Sequence, residues 1–249
     1  RSLSAISKRR KTIQTTQKIT NAMKLVSMSK LQRYRRFEIG YNPIFDHVIR
    51  LPHETYESGK PKLYVAFVPD LGLVSAYPRN LLNEFKKLGK PDAYIFGSQS
   101  YDKFSSGDYC NLLSPRTISE NIDLDRIKEF VSTYHNDYHI VCLVPEVSVS
   151  AKINFNVVET DKRLLKGYHM VFEPDYDSAN DAFEKVFVES TLINTYYQSK
   201  VAEHTMRRVA MEQATENADN MLYDLQLQYN RWRQEKMTEE IADLTQAED

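Results

Sequence analysis

The chain has 249 residues, a formal net charge of −1, 41% apolar and 27% charged residues. This ordinary soluble usage excludes wholesale disorder. All 7 Gly and 9 Pro fall between Gly40 and Pro174, so residues 1–39 and 175–249 hold no helix breaker. Read as one α-helix, the last 75 residues would span about 110 Å at ~1.5 Å per residue, which excludes a single compact globule. The apolar runs, such as Ala66–Val68 and Ile140–Val144, fall far short of the ~20 residues of a membrane-spanning helix. Two cysteines, Cys110 and Cys142, make no disulfide framework and no C-x-x-C pair, and a reducing compartment is compatible with them.

The first segment, 1–39, carries eleven Lys and Arg before its first acid, Glu38. Leu3, Ile6, Ile13, Met23, Val26 and Leu31 form a thin apolar stripe, interrupted by small polar residues such as Thr20 and Ser27. Pro43 and Pro52 are expected to kink or stop the helix beyond Gly40. One-signed charge repels itself, so a partner surface is favoured over a merely solvated face; nucleic acid and an acidic protein are both candidates.

In the middle segment, Leu63–Val68 reads as a buried strand closed by Pro69-Asp70. Arg79–Leu88 has helical spacing, Ala93–Phe96 is a second strand ending at Gly97, and Asp123–Tyr134 is an amphipathic helix. Ile140–Val144 is a third strand and Ala151–Val158 a candidate edge strand. This order implies βαβ units and a small, mainly parallel sheet.

In the last segment, a count in sevens from Phe183 through Ser190, Tyr197, His204, Met211, Ala218, Leu225 and Trp232 draws a heptad seam, accompanied by Val186, Phe187, Ile193, Val201, Ala214, Met221, Leu222 and Tyr229 and broken by Lys200 and Arg207. Its simplest partner is the N-terminal helix, packed antiparallel.

No P-loop, dinucleotide fingerprint, nucleophile elbow or zinc-protease motif is present, so no catalytic residue, metal ligand or cofactor is expected. His135 and His139 are four apart and could share a helix face as a metal pair; a solvated helix end is the favoured reading. Gly97-Ser98 after a strand could cradle a phosphate, although a simple turn is commoner.

Two blocks resemble the γ subunit of ATP synthase, the central rotor shaft of the F1 motor. Ile13-Gln14-Thr15-Thr16-Gln17-Lys18-Ile19-Thr20-Asn21-Ala22-Met23-Lys24-Leu25-Val26 is similar to its N-terminal signature. Met206–Met211, Ala214–Ala218, Tyr229–Gln234 and Thr238–Ile241 are similar to its C-terminal one, and Phe172-Glu173-Pro174-Asp175 to the segment leading into the last helix. The chain departs from the family at Gly72-Leu73-Val74-Ser75, where the family has Gly-Leu-Cys-Gly, and in its tail, Gln246–Asp249.

The resemblance implies an α/β fold class: a long antiparallel two-helix coiled coil from the terminal segments (1–58 and 175–249) plus a small Rossmann-like α/β foot domain (61–174). It implies a noncatalytic central-stalk subunit coupling proton-driven rotation to ATP synthesis or hydrolysis at β subunits. Implied partners are the α and β subunits of an α3β3 hexamer, δ/ε-type stalk subunits and the membrane c-ring, with no nucleic acid and no membrane span. Arg233, Gln234, Thr238 and Glu240 match positions meeting the β catch loop. Lys18, Met23, Lys24 and Arg208 match shaft positions facing α and β, and Met170, Phe172 and Glu173 match the foot near the rotor ring. The missing initiator Met and the absent plastid-type cysteine insert give the expectation of a processed mitochondrial protein, peripheral on the matrix side of the inner membrane. A basic coiled-coil nucleic-acid binder or scaffold is the alternative.

Overall fold

A computed structural model describes residues 3–120, 122–148, 150–167 and 171–246. The elements in chain order are α1 (Leu3–Arg50), β1 (His53–Thr55), β2 (Lys62–Phe67), α2 (Ala76–Lys87), β3 (Asp92–Phe96), α3 (Tyr101–Phe104), β4 (Asn111–Leu112), α4 (Leu124–Tyr134), β5 (His139–Val147), β6 (Ile153–Glu159), β7 (Lys162–Leu164) and α5 (Tyr176–Gln246). The helices α1 and α5 run 48 and 71 residues. Two compact units emerge, one of Arg1–Met28 with Arg207–Asp249, the other of Ser29–Met206.

In the first unit two helical segments pack antiparallel. Thr20 and Thr215 join their hydroxyls at 2.8 Å, and Gln17 donates to Asp219, further along the opposing segment. Ile6, Thr20 and Ser27 are buried and Ile13 half-buried, a spacing of seven; opposite them Met211, Ala218 and Leu225 are buried at the same spacing. Thr20 and Ser27 therefore belong to the seam that they were expected to interrupt, whereas Val26, assigned to the stripe, is 56% exposed.

The second unit is built on a five-stranded sheet of order β4-β3-β2-β5-β6. The β2–β3, β2–β5 and β3–β4 pairs are parallel and β5–β6 is antiparallel, so the sheet is mixed, with the expected parallel core and an antiparallel edge. Alternation along the strands makes two cores. Ala66, Val68, Ala93, Ile95 and Leu143 face α2 through Tyr77, Leu81, Leu82 and Phe85. Leu63, Val65, Phe67, Phe96, Ile140 and Cys142 face α4 through Ile127, Phe130 and Val131. The N-terminus of α4 is capped by Asp123, whose carboxylate accepts from the Arg126 amide at 2.9 Å. Pro145 is tolerated inside β5 because the β2 ladder ends at Cys142, leaving only β6 beside it.

Three expectations change. α1 continues through Gly40 and Pro43 and ends at Arg50, so Pro52 stops it as expected and Pro43 does not. Pro43 and Gly40 are exposed and Ile39 is 70% exposed, so water can satisfy the carbonyl that Pro43 leaves without a donor. Beyond Pro52, within the span expected as helix, His53–Thr55 forms a strand paired antiparallel with Lys162–Leu164. Val186, placed on the C-terminal seam, is 44% exposed and Met221 is 51% exposed; Phe187 and Ile193 are buried.

The ends of β2 and β3 come together at Gly97, whose φ is +123° and where a Cβ would lie 2.2 Å from the Val68 carbonyl oxygen. Gly97→Ala is expected to cost at least ~2 kcal/mol of stability, read as a lowered urea midpoint.

Candidate functional site

Open α/β sheets bind ligands outside the carboxyl ends of their parallel strands. Here that edge is closed by the chain itself. Asp70, after β2, accepts from the Ser98 amide at 3.0 Å and from the Ser119 amide at 2.8 Å. Ser119 Oγ donates to the Val68 carbonyl at 2.7 Å and accepts from Lys200 Nζ at 2.9 Å. Lys200 in turn pairs with Glu203 at 3.0 Å. The Ser98 amide, which a phosphate would need, is held by a carboxylate, so Gly97-Ser98 is a turn and not a phosphate cradle. Lys200 and Arg207, expected to break the seam, are 1% and 5% exposed.

His135 and His139 do not share a helix face. His135 caps the end of α4 and lies 3.7 Å from Glu184, while His139 opens β5 with Nδ1 3.3 Å from Asp161. Neither is a solvated helix end: His139 is 6% exposed and His135 half-buried. No group of three or more His, Cys, Asp and Glu able to hold a metal occurs among the described residues. Burial pushes the Cys110 thiol up to about 11 and the Cys142 thiol up to about 12, which makes both poor nucleophiles.

What the chain offers instead is surface along its helices. In the first unit Lys18 is exposed, and Met23 and Lys24, half-buried, flank the seam residue Thr20. Arg208 donates to Glu212 one turn on, at 3.3 Å. Arg233, Gln234, Thr238 and Glu240 are all exposed. Helical geometry divides them into two pairs: Gln234 and Thr238, four apart, line a shallow groove with Arg231 and Glu235, and Arg233 with Glu240, seven apart, lies on another face. Interleaved with these polar groups are apolar side chains left to solvent: Ile19, Leu25, Val26 and Met28 on one segment, Met221, Tyr223, Leu227, Met237 and Ile241 on the other. The sequence reading placed Val26 and Met221 in the seam and named the others in no apolar face, because it sought apolar residues only at seam spacing.

In the second unit Phe172 is half-buried and meets Tyr176 edge-on at 5.2 Å beside the cluster of Leu164, Phe183 and Phe187, and Glu173 is exposed. Met170 lies outside the described residues. A second exposed apolar group, Leu71, Leu73 and Ile118, sits on the loops that carry Asp70 and Ser119. No described helix is long and apolar enough to cross a membrane.

Comparison with known proteins gives a consistent picture. The family model described as "ATP synthase" matches residues 2–248. The ATP synthase gamma chain of Malacoplasma penetrans is 29% identical over 98% of this chain and 97% of its own length. That of Clostridium kluyveri is 28% identical over 97% of this chain and 95% of its own. Among solved structures, a chain of the Euglena gracilis mitochondrial ATP synthase (OSCP/F1/c-ring, rotational state 3) superposes with a TM-score of 0.66 at 16% identity, covering 98% of this chain and 93% of that one.

The two histidines set an acid limit on stability. Burial holds both imidazoles below their ordinary value of 6.5 in the folded chain. The unfolded chain takes up those protons near 6.5, so stability is at its plateau above that pH and falls as the pH drops from 6.5 toward the lowered folded values. Urea midpoints at pH 7.5, 6.5 and 5.5 should decline below 6.5, and His135→Gln with His139→Gln should flatten the decline.

Proposed function

The chain belongs to the ATP synthase γ-subunit family, and from that premise we propose that it is the central-stalk rotor of an F1Fo enzyme. Its paired helical segments stand as a shaft among three α and three β subunits, and ion flow through a membrane c-ring turns it. The β subunits hold the catalytic groups, and this subunit is noncatalytic. The observation that carries the reading is the first unit, two antiparallel helical segments joined along a buried seam, with exposed apolar residues on both and with Lys and Arg but no acid in residues 1–28.

The mechanism follows from asymmetry. Three β subunits of one sequence can hold different nucleotide affinities only if something contacts each differently, since a shift in population requires differential contact energy. A two-helix shaft presents a different face in each direction, and turning it permutes those faces. Lys18, Met23, Lys24 and Arg208 are proposed to contact the surrounding subunits, with the basic groups opposite acidic segments of β. Arg233, Gln234, Thr238 and Glu240 are proposed to dock the β catch loop by polar contact. Phe172 and Glu173, with Met170, are proposed for the foot near the rotor ring, where δ/ε-type stalk subunits would also bind. The shaft domain is proposed as residues 1–58 with 175–249, and the foot as 61–174.

The proposed location is peripheral, at the ion-translocating membrane. The two curated relatives compared are bacterial, so the mitochondrial placement rests on the absent plastid-type insert alone. The nucleic-acid reading of segment 1–39 draws no support from a family match that spans residues 2–248.

Pull-down of the tagged chain from its source is expected to recover α and β ATPase subunits; their absence would sink the rotor reading. Arg233→Ala with Gln234→Ala should lower coupled ATP turnover of the assembled enzyme by about tenfold while leaving the helix content of the chain unchanged. Unaltered turnover removes both residues from the docking site.

A further inference from the structure

Within the second unit α5 changes sides of the sheet. Val188, Leu192, Ile193 and Tyr196 pack into the core of Leu63, Val65 and Phe67. Ala202 and Met206, further along, pack into the opposite core, with Ala66, Val68 and Tyr77. The helix therefore passes over the carboxyl edge between them, and at that crossing sit Lys200 and Glu203, with side chains 1% and 2% exposed.

A buried ammonium is an unusual choice at such a crossing, because apolar residues of similar volume cost less to bury. Glu203, on the same helix, neutralises it, and what the ammonium adds is a directional bond to Ser119 on another element. The flanking contacts of α5 are mostly apolar or small (Thr191, Thr195 and Ser199 are buried and bond back to their own helix at 2.8, 2.7 and 2.7 Å), and these make no directional bond to the sheet edge. Lys200 does. Its Nζ reaches Ser119 Oγ, and Ser119 is anchored twice more, to Val68 through its hydroxyl and to Asp70 through its amide. A slip of one turn moves Lys200 about 5.4 Å along the axis, out of reach of Ser119, and brings Tyr196 or His204 to its place. The ammonium would then keep Glu203, which moves with it, but lose its bond to the sheet edge.

We propose that Lys200, with Glu203 and Ser119, is a register pin, a set of positioning residues that fixes α5 axially and in rotation on the carboxyl edge of the sheet. Its mechanical consequence rests on the rotor reading: torque entering through the sheet domain reaches the helix without slip. Neighbouring contacts reinforce the same loop, since Tyr34 and Tyr196 both donate to the Glu120 carbonyl, at 3.1 and 3.2 Å, and Lys30 pairs with the Glu120 carboxylate.

The test begins with the full chain alone, where no assembly is needed. Lys200→Met with Glu203→Gln removes both charges. It should fold with a melting midpoint at or above the parent's, while amide exchange at residues 117–120 quickens at least about tenfold. Unchanged exchange in the double variant overturns the pin. Should the double variant not fold, Lys200→Gln, which leaves the Ser119 bonds to Val68 and Asp70 in place, decides: faster exchange at 117–120 supports the pin and unchanged exchange overturns it. In membrane vesicles carrying the assembled enzyme, the double variant should keep ATP hydrolysis within about twofold while ions pumped per ATP fall at least about threefold. An unaltered ratio overturns the mechanical consequence. Failure of the parent chain to assemble with α and β would overturn the rotor reading and leave the exchange result standing on its own.

Discussion

A long helix in water persists only where one of its faces is covered, because propensity and intrahelical hydrogen bonds alone leave it marginal. That constraint governs the first unit. The covered face is narrow: Ile6, Thr20 and Ser27 on one segment and Met211, Ala218 and Leu225 on the other are buried at a spacing of seven, with half-buried residues such as Ile13, Met23, Ala214 and Leu222 between them. Thr, Ser and Ala at such positions let two backbones approach closely, and the Thr20–Thr215 hydroxyl pair satisfies the polarity that this introduces. With so little surface spent on internal packing, most of each helix remains outward. The outward set of bases and aliphatic side chains is then free to be specified by partners.

The sheet was the most legible part of the sequence because its strands are apolar runs cut off by Gly and Pro: Leu63–Val68 ends at Pro69, and Ala93–Phe96 ends at Gly97. Tyr101–Phe104, Asn111–Leu112 and the His53–Thr55 with Lys162–Leu164 pair are too short to show any period. The α1 seam was hidden by chemistry. A search for apolar spacing passes over Thr20 and Ser27, although they occupy the seven-residue positions, and prefers Val26, which is exposed. Lys200 misled in the same way: a charge within a heptad reads as solvent-facing until the structure supplies Ser119 and Glu203 for it to meet. Gly40 and Pro43 read as a stop, yet a break costs a helix least where its freed carbonyl faces water.

Legibility of function followed a different rule. No property of Arg233 or Thr238 by itself points to docking; their place in a long family motif does. The structure adds that they divide between two helical faces, so a single flat partner surface could not take all four at once. A partner loop that wraps the helix could.

The sheet domain illustrates why a fold of this kind need not bind a nucleotide. Its crevice has the strand order, the glycine and the free-looking amides that phosphate recognition would use. Asp70 supplies the negative charge from within, and Lys200 supplies the positive one, so the site is complete without a ligand. Chemistry that elsewhere recognises a diffusing anion is used here to hold a helix to a sheet. A ligand site and a structural joint need the same donors and the same burial; they differ in whether the partner is covalently part of the chain. In a machine that transmits force, a joint that cannot dissociate is the more useful of the two, and at the crossing point a directional bond joins the packing in holding the helix to the sheet.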